Sequence, residues 1–176
     1  MKTGIGFDVH RLTPERPLIL GGVTIEHPLG LLGHSDADAL CHAIGDALLG
    51  AVAAADLGAH FPDTDPRWKN AVSLELLARI REQLIAQHAR IINVDAVVLA
   101  EQPRLAPHRE AMRANLARAL QISVDCVSVK ATTLEGLGAL GRQAGIAVMA
   151  VATVEQGVSA EQPGPARSAP GTSAVI

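Results

Sequence analysis

The fold of this chain is decided around His34-Ser35-Asp36-Ala37-Asp38-Ala39-Leu40-Cys41-His42, where its first long helix begins. Apolar residues spaced three and four positions apart predict a helix over residues 36–53. The buried stripe of this helix is predicted to consist of Leu40, Ile44, Ala47, Leu48 and Ala51. A second, polar stripe carries Asp38, His42 and Asp46, which recur at four-residue steps and therefore lie on one face.

The strand that precedes this helix carries two further residues that can bind a metal. The alternating pattern predicts a strand over residues 2–10, so Asp8 and His10, two positions apart, leave the same face. Together with His42 they supply one carboxylate and two imidazoles, a set that suits zinc or a similar divalent ion. Three protein ligands leave a fourth position open, as in catalytic sites. The alternative is that the D-x-H pair is ordinary surface polarity at a strand end.

The polar side chains around His42 permit two interpretations. Asp38 and Asp46 each lie one helical turn from His42, where a carboxylate could accept the second N–H of a metal-bound imidazole. The same stripe is also typical of a solvated helix face. Ser35 or Asp36 is expected to cap the helix, and the free amides at this helix start predict a pocket for an anion.

Helices alternate with strands along the rest of the chain. The predicted elements are a hairpin over 17–25 that turns at Gly21-Gly22, an irregular stretch over 54–70, a helix over 72–88, a strand over 93–100, a third helix from Pro107, and strands over 127–132 and 146–153. This order predicts an α/β fold of the α+β two-layer sandwich type, in which a mixed sheet has its helices packed on one face. We expect one domain over 1–154. The segment 155–176 is expected to be a disordered tail, because 13 of its 22 residues are Gly, Pro, Ser or Ala.

Composition narrows the class of protein. The 176 residues are 48% apolar and only 2% aromatic, with a net charge of −3 and no basic block, so binding to nucleic acid is not expected. No run approaches eighteen apolar residues and no targeting segment is evident, so we expect a cytoplasmic protein without a membrane span. Cys41 and Cys126 fit no metal or redox spacing and are expected to be buried thiols. A core of small apolar residues indicates that the chain forms oligomers.

Three loops have the composition of a ligand site. The segment 56–66 is rich in Asp and Pro, and is either an exposed connector or a mobile flap over substrate hydroxyls. The segment 130–138 follows a strand, and its two Thr hydroxyls and Glu135 could hold phosphate oxygens and a second hard cation such as Mg²⁺. The segment 100–107 is either a plain strand-to-helix connection or a loop whose backbone contacts the edge of a flat ligand.

Several of these segments match one enzyme family in order along residues 1 to about 154. The matching segments are Gly6-Phe7-Asp8-Val9-His10, Gly21-Gly22-Val23, Leu31-Leu32-Gly33-His34-Ser35-Asp36-Ala37-Asp38, Phe61-Pro62-Asp63-Thr64-Asp65-Pro66, Asn93-Val94-Asp95 and Lys130-Ala131-Thr132-Thr133. The chain closely resembles the 2-C-methyl-D-erythritol 2,4-cyclodiphosphate synthases, which are lyases of the non-mevalonate isoprenoid pathway. The resemblance implies conversion of 4-diphosphocytidyl-2-C-methyl-D-erythritol 2-phosphate to the cyclic diphosphate with release of CMP. It also implies a homotrimer whose three sites are shared between neighbouring subunits.

The resemblance further assigns the site residues. Asp8, His10 and His42 match the zinc positions, and Glu135 matches the residue that binds Mg²⁺ or Mn²⁺ bridging the diphosphate. Catalytic roles fall on His34, Thr133 and Glu135. The implied substrate-binding residues are Asp8, His10, His34, Ser35, Asp56, Gly58, Phe61, Pro62, Asp63, Thr64, Asp65, Ala100, Pro103, Arg104, Leu105, Ala106, Ala131, Thr132, Thr133 and Arg142.

The chain departs from the family pattern at four positions. Ile5 and Ala37 replace a His-like residue and a Gly, with little expected effect. Gly136 replaces a Lys and so removes a cation beside Glu135, whereas Ala139 replaces an aromatic residue near the central channel of the trimer. That second change puts in doubt an isoprenoid-like ligand in the channel.

Two other functions stay open on the residues alone. A metal-dependent phosphohydrolase would need a positioned water and usually a second metal held by several carboxylates. Glu135 supplies only one such carboxylate. A trimeric metal-binding or signalling protein without activity would not need the open coordination position or the Thr pair.

Overall fold

A computed structural model describes residues 1–157 of the chain. The strands are β1 (Lys2–Thr13), β2 (Leu18–Leu20), β3 (Val23–Ile25), β4 (Gly30–Leu31), β5 (Ala89–Leu99), β6 (Val127–Thr132) and β7 (Gly145–Gln156). The α-helices are α1 (Ala39–Ala51), α2 (Leu57–His60), α3 (Ser73–Ala86), α4 (Arg109–Leu120) and α5 (Gly138–Gly141). Short 3₁₀ turns cover Pro66–Trp68, Ala106–His108 and Val124–Cys126. None of the helices in this part of the chain is long and apolar enough to cross a membrane.

Five strands form a mixed sheet in the order β4-β1-β7-β5-β6. β5 and β6 run parallel, whereas the other neighbours are antiparallel. The β2–β3 hairpin forms a separate two-stranded sheet. The predicted α/β class with a mixed sheet and packed helices is therefore confirmed.

Helix α1 packs on β1, and the pattern along β1 shows which face of the sheet it covers. Gly4 and Gly6 are buried, whereas the residues between and after them, Ile5, Phe7 and Val9, are 67%, 54% and 51% exposed. A β carbon at Gly6 would clash with the carbonyl oxygen of Ala43 in α1. The two glycines thus let the helix backbone approach the strand closely, and this brings His42 over the end of β1. The opposite face of the sheet carries the exposed apolar side chains.

The start of α1 differs from the prediction. The helix begins at Ala39, and its N-cap is Asp38 rather than Ser35 or Asp36. The fully buried Asp38 carboxylate accepts hydrogen bonds from the Cys41 amide at 3.1 Å and from the amides of Gly21 and Gly22 at 2.9 and 2.7 Å. Asp38 therefore joins the β2–β3 hairpin to α1, and it is not part of a solvated helix face. Burial raises the pKa of this carboxyl above its ordinary value, although the amides oppose the shift.

Several other boundaries also differ from the predictions. The stretch 54–70, predicted to be irregular, contains α2 and the Pro66–Trp68 turn, and its Phe61 is buried in the core. The strand predicted to begin at residue 93 begins at Ala89 as β5, because it follows α3 with almost no connecting loop. β7 continues to Gln156, so the predicted tail loses its first two residues to the sheet. The rest of that predicted tail, from residue 158, lies outside the described residues. Cys41 is buried as expected, whereas Cys126 is only half-buried, and both are free thiols.

Candidate active site

Asp8 and His10 on β1 converge with His42 on α1. Asp8 Oδ2 lies 2.8 Å from His10 Nε2 and 3.0 Å from His42 Nδ1, and the two imidazole nitrogens are 3.3 Å apart. One carboxylate oxygen and two imidazole nitrogens within 4.8 Å of one another form a donor set for a divalent cation. The set fits zinc, because these are the ligand types that zinc prefers. The predicted association of these three residues is therefore confirmed.

The nitrogens that face away from the cage are also hydrogen-bonded. His10 Nδ1 lies 2.7 Å from the carbonyl oxygen of Leu32 and donates to it, which leaves Nε2 free to bind a metal. His42 Nε2 lies 3.1 Å from Ser35 Oγ and 3.0 Å from Ser73 Oγ. Each imidazole is thereby held in one orientation, with a known nitrogen toward the cage.

The carboxylates predicted to orient His42 are engaged elsewhere, so this prediction is wrong. Asp38 caps α1, and Asp46 Oδ1 accepts the amide of Leu57 at 2.7 Å, because the chain folds back onto α1 at this point. Ser73, at the first position of α3, takes the predicted role, and no local pattern in the sequence marks it. Ser73 Oγ donates in turn to Asp36, whose other oxygen accepts the Ser73 amide at 2.9 Å.

The predicted free amides at the start of α1 are also engaged. The amide of Asp36 donates to Ala71, that of Ala37 to Ser35 Oγ, and that of Asp38 to Asp36. The loop around His34 is instead held from outside by Arg16. Its guanidinium donates to the carbonyl oxygens of Gly33 and Ser35.

Charges in the cage influence one another. Burial by itself raises the pKa of Asp8, but hydrogen bonds and charge from His10 and His42 outweigh it, so the pKa lies well below its usual range. Burial alone lowers the pKa of His10, but the hydrogen bond and charge of Asp8 raise it above the ordinary value. Asp8 and His10 therefore stabilise one another's charged forms.

A cavity of about 580 Å³ opens above the cage. Besides the three cage residues, its lining includes the predicted substrate residues His34, Ser35, Gly58, Phe61, Pro62 and Asp63. Asp56, Thr64 and Asp65 are not in this lining. Asp56 caps α2 through the amide of Ala59, and Asp65 caps the 3₁₀ turn at Pro66 and pairs with Arg67 at 2.6 Å.

The segment that bears Phe61 is packed rather than free. Phe61 meets the edge of Trp68 at 5.0 Å between ring centroids, and Trp68 also lines the cavity. The guanidinium groups of Arg67 and Arg79 each lie 5.5 Å from the Trp68 ring. Trp68, the only tryptophan of the chain, is not among the predicted site residues.

A second cavity, of about 270 Å³, lies where the parallel strands β5 and β6 end. Its lining contains Glu101 and eight predicted residues, namely Ala100, Pro103, Arg104, Leu105, Ala106, Ala131, Thr132 and Thr133. The parallel ladder continues past β5, since the Ala100 amide donates to Thr132 at 3.0 Å. Two segments about thirty positions apart in the chain are thus brought to one edge of the sheet.

The structure divides the remaining predicted residues between these places. The two cavities share no lining residue. Glu135 lies on the turn after β6 and accepts a hydrogen bond from Thr133 Oγ1 at 2.9 Å, apart from the cage. Arg142 lines neither cavity, and its backbone amide closes α5. Within the described part of one chain, the cage and Glu135 therefore lie apart, and Glu135 is not in the lining of the cage cavity.

Comparisons with known proteins agree with this geometry. The sequence profile of the YgbB family matches residues 1–155. The 2-C-methyl-D-erythritol 2,4-cyclodiphosphate synthase of Salinibacter ruber is 58% identical over 157 residues, which are 88% of this chain and 99% of that protein.

Solved structures give the same result. A 2C-methyl-D-erythritol-2,4-cyclodiphosphate synthase with bound CDP superposes with a TM-score of 0.81 at 38% identity, over 88% of this chain and all of that chain. The bifunctional IspDF from Campylobacter jejuni gives a TM-score of 0.84 at 42% identity, over 87% of this chain but only 42% of its own. The chain belongs to the YgbB family, the family of the 2-C-methyl-D-erythritol 2,4-cyclodiphosphate synthases.

Proposed function

We propose that this protein converts 4-diphosphocytidyl-2-C-methyl-D-erythritol 2-phosphate to 2-C-methyl-D-erythritol 2,4-cyclodiphosphate and releases CMP, in the non-mevalonate route to isoprenoid precursors. The observation that carries the proposal is the Asp8-His10-His42 cage at the floor of a 580 Å³ cavity, in a chain similar to these synthases over almost its whole length. A cage with an open coordination position suits an anionic phosphoryl ligand.

The reaction needs no nucleophile from the protein. An oxygen of the 2-phosphate forms a bond to the β-phosphorus of the same molecule, and the bond from that phosphorus to the oxygen bridging the α-phosphate breaks, so CMP leaves with this oxygen. The attacking oxygen is already anionic near neutral pH, so no general base is required. The task of the protein is to fold the substrate so that its ends meet, which can lower a barrier by roughly 7–11 kcal/mol at the upper end.

Two cations would complete the site. Asp8, His10 and His42 would hold Zn²⁺, and Glu135 would hold Mg²⁺ or Mn²⁺. When bound, these cations supply positive charge that offsets the charge on the phosphoryl oxygens. His34 and Thr133 would stabilise the same charge by hydrogen bonds, since each lines one of the two cavities.

The remaining substrate groups have places in the two cavities. Ser35 lies beside the cage and would contact a phosphate, and Gly58, Phe61, Pro62 and Asp63, which line the same cavity, would enclose the erythritol. Asp56, Thr64 and Asp65 lie outside this lining, and their contact with the substrate stays a prediction. The second cavity would take the cytidine and the diphosphate through segments 100–106 and 131–133. Arg142, which follows α5 and lines neither cavity, stays a predicted substrate contact. Phe61 and Trp68, packed edge to face, would keep competing water away from the cage.

A site shared between subunits would let one substrate reach both cavities, which have no lining residue in common. We propose a homotrimer in which the cage cavity of one subunit faces the cytidine cavity of its neighbour. The uncovered sheet face supports this arrangement, because Ile5, Phe7, Val9, Met149 and Val151 are all exposed on it. The domain limits of 1–154, the tail and the cytoplasmic location stay predictions.

The test is phosphorus NMR of the zinc-loaded protein with the substrate and Mg²⁺, with His42→Ala run in parallel. The cyclic diphosphate and CMP should form with the wild type and not with the variant, which lacks one cage ligand. CMP with free phosphate would instead support a phosphohydrolase. Unchanged substrate with zinc still bound would contradict the proposed activity.

A further inference from the structure

The turn over residues 133–137 has an unfavourable backbone at the residue that matters most to the proposed chemistry. Glu135 has φ of 53° and Gly136 has φ of 76°, so two consecutive residues are left-handed. Glycine adopts this conformation freely, whereas a glutamate does so at an energetic cost. A β carbon at Gly136 would meet nothing within 4 Å, but the Gly136 backbone packs closely against Gly141 of α5, where an added β carbon would lie 2.2 Å from the Gly136 carbonyl carbon. Besides this packing, the turn is held by hydrogen bonds, one of which is internal, since the Leu137 amide donates to the Leu134 carbonyl oxygen at 2.9 Å.

Glu101 supplies two further hydrogen bonds to this turn from the neighbouring strand end. Its Oε1 accepts the amide of Leu134 at 2.7 Å and that of Gly136 at 3.4 Å. These two amides lie on either side of Glu135. One carboxylate oxygen thus holds the backbone before and after the left-handed Glu135. Glu101 itself follows Ala100, whose amide donates to Thr132 in the parallel ladder.

The Glu135 side chain is directed within the same turn. Thr133 Oγ1 donates to Glu135 Oε1 at 2.9 Å, so the carboxylate depends on the relative position of residues 133 and 135. That position is what the two hydrogen bonds to Glu101 maintain. Glu101 also lines the cytidine cavity, so it connects the floor of that cavity to the turn.

We infer that Glu101 is a positioning residue, which holds the turn so that Glu135 can bind the second divalent cation together with a nucleoside diphosphate. The inference rests on the proposed function in its assignment of that cation to Glu135. Glu101 acts through its acceptor oxygen and not through its charge. Glu101→Gln keeps an oxygen that can accept both amides, whereas Glu101→Ala leaves the amides without an acceptor.

The inference is tested by two measurements on the zinc-loaded full chain. The first is hydrogen exchange of the peptide spanning 133–137, and the second is Mn²⁺ binding in the presence of CDP, followed by electron paramagnetic resonance. Glu155→Ala serves as the control, because it removes the same charge from an exposed residue that pairs with Arg90 at 2.6 Å, far along β7.

Glu101→Ala should exchange the 133–137 amides at least about tenfold faster and bind Mn²⁺ about tenfold more weakly, with zinc content unchanged. Glu101→Gln should stay within about threefold of the wild type in both measurements. Unchanged Mn²⁺ affinity in Glu101→Ala would overturn the inference, and so would an equal loss in Glu101→Gln, since charge would then be responsible.

The proposed function can fail separately. If the wild type itself binds no Mn²⁺ with CDP, the second-cation assignment is wrong and the inference falls with it. If the wild type binds Mn²⁺ with CDP and Glu101→Ala does not, the second-cation assignment holds, and the loss of Mn²⁺ affinity is due to Glu101.

Discussion

Ser73 Oγ lies 3.0 Å from Nε2 of His42, on the side of the imidazole opposite the cage, and joins two residues that are 31 positions apart. Ser73 donates its own proton to Asp36, so its oxygen is left to accept the N–H of His42. This fixes the tautomer in which His42 Nδ1 faces Asp8.

We expect Ser73→Ala to weaken zinc binding by about 10–100-fold, because His42 loses a partner that orients its ring. The dissociation constant is measured by competition with a chromophoric chelator. Ser128→Ala, on an exposed position of β6, is the matched control and should bind zinc as the wild type does. An unchanged affinity in Ser73→Ala would show that Ser35 alone orients the ring.

Zinc affinity should fall as the pH falls through the raised pKa of His10. Burial lowers this pKa, but the hydrogen bond and charge of Asp8 raise it by more, so the metal-free imidazole keeps its proton to a higher pH than an ordinary histidine. Zinc must displace that proton, so the apparent dissociation constant should rise at least about tenfold per pH unit below the raised pKa and level off above it. The lowered pKa of Asp8 keeps its carboxylate ionised, so it adds no slope near neutral pH.

The measurement is a chelator competition repeated between about pH 5.5 and 8.5, a range that brackets the usual histidine pKa. In Asp8→Asn, the pH at which the dissociation constant levels off should be lower, because the partner that raises the His10 pKa is gone. An affinity that does not depend on pH over this range would contradict the proton displacement.

Gly6→Ala should lower the free energy of unfolding by roughly 1–3 kcal/mol, because the added methyl group clashes with the Ala43 carbonyl and pushes α1 away from β1. His42 directly precedes Ala43 in α1, so zinc affinity should fall as well. Urea unfolding and zinc titration are the measurements.

Gly50, which lies in α1, provides the control for Gly6→Ala. At Gly50 the nearest atom to an added β carbon is the Ile5 carbonyl oxygen at 3.8 Å, an ordinary contact. Gly50→Ala should therefore raise the free energy of unfolding by up to about 1 kcal/mol, because alanine favours a helix. Equal losses in the two variants would show that the close approach at Gly6 is not the cause.

Two inactive variants should restore activity when they share a trimer. His42→Ala removes a cage ligand and Glu135→Ala removes the second-cation ligand, so each should be inactive alone. If sites form between subunits, random mixed trimers should recover about one quarter of the wild-type activity, because a site that joins an intact cage to an intact Glu135 arises with that frequency. Activity is followed by CMP release after the two variants are co-expressed. The control is a mixture of the two variants purified separately, in which no mixed trimers have formed. No recovery would place each site within one chain.

Local patterns were sufficient to predict the cage and the fold class. The D-x-H spacing on β1 and the helical stripe that holds His42 depend on periods of two and about 3.6 residues, which the sequence displays directly. Most strand and helix positions follow from the same periodicity. Boundaries were less accurate, and Asp38 shows why. Its hydrogen bonds to the hairpin amides depend on how the β2–β3 turn meets α1, which no local pattern encodes.

Residues that act across the fold could not be found from the sequence alone. Ser73 meets His42 only because α3 packs beside α1, and Glu101 meets the 133–137 turn only because β5 and β6 are parallel neighbours. The resemblance to a family supplied the loop assignments. The second cavity brings together eight of the residues that the resemblance implies to be substrate-binding.

The position of the cage on β1 and α1 has a consequence for the lifetimes of the two cations. β1 lies between two other strands of the sheet and most residues of α1 are buried, so the three cage residues separate only when these two elements move apart. The turn that bears Glu135 is exposed and is held by a few hydrogen bonds. Zinc would therefore stay through many turnovers as a resident of the folded chain. The second cation would bind and leave with each nucleotide. The rate of the proposed reaction would therefore depend on the concentration of free Mg²⁺, whereas the bound zinc would not change.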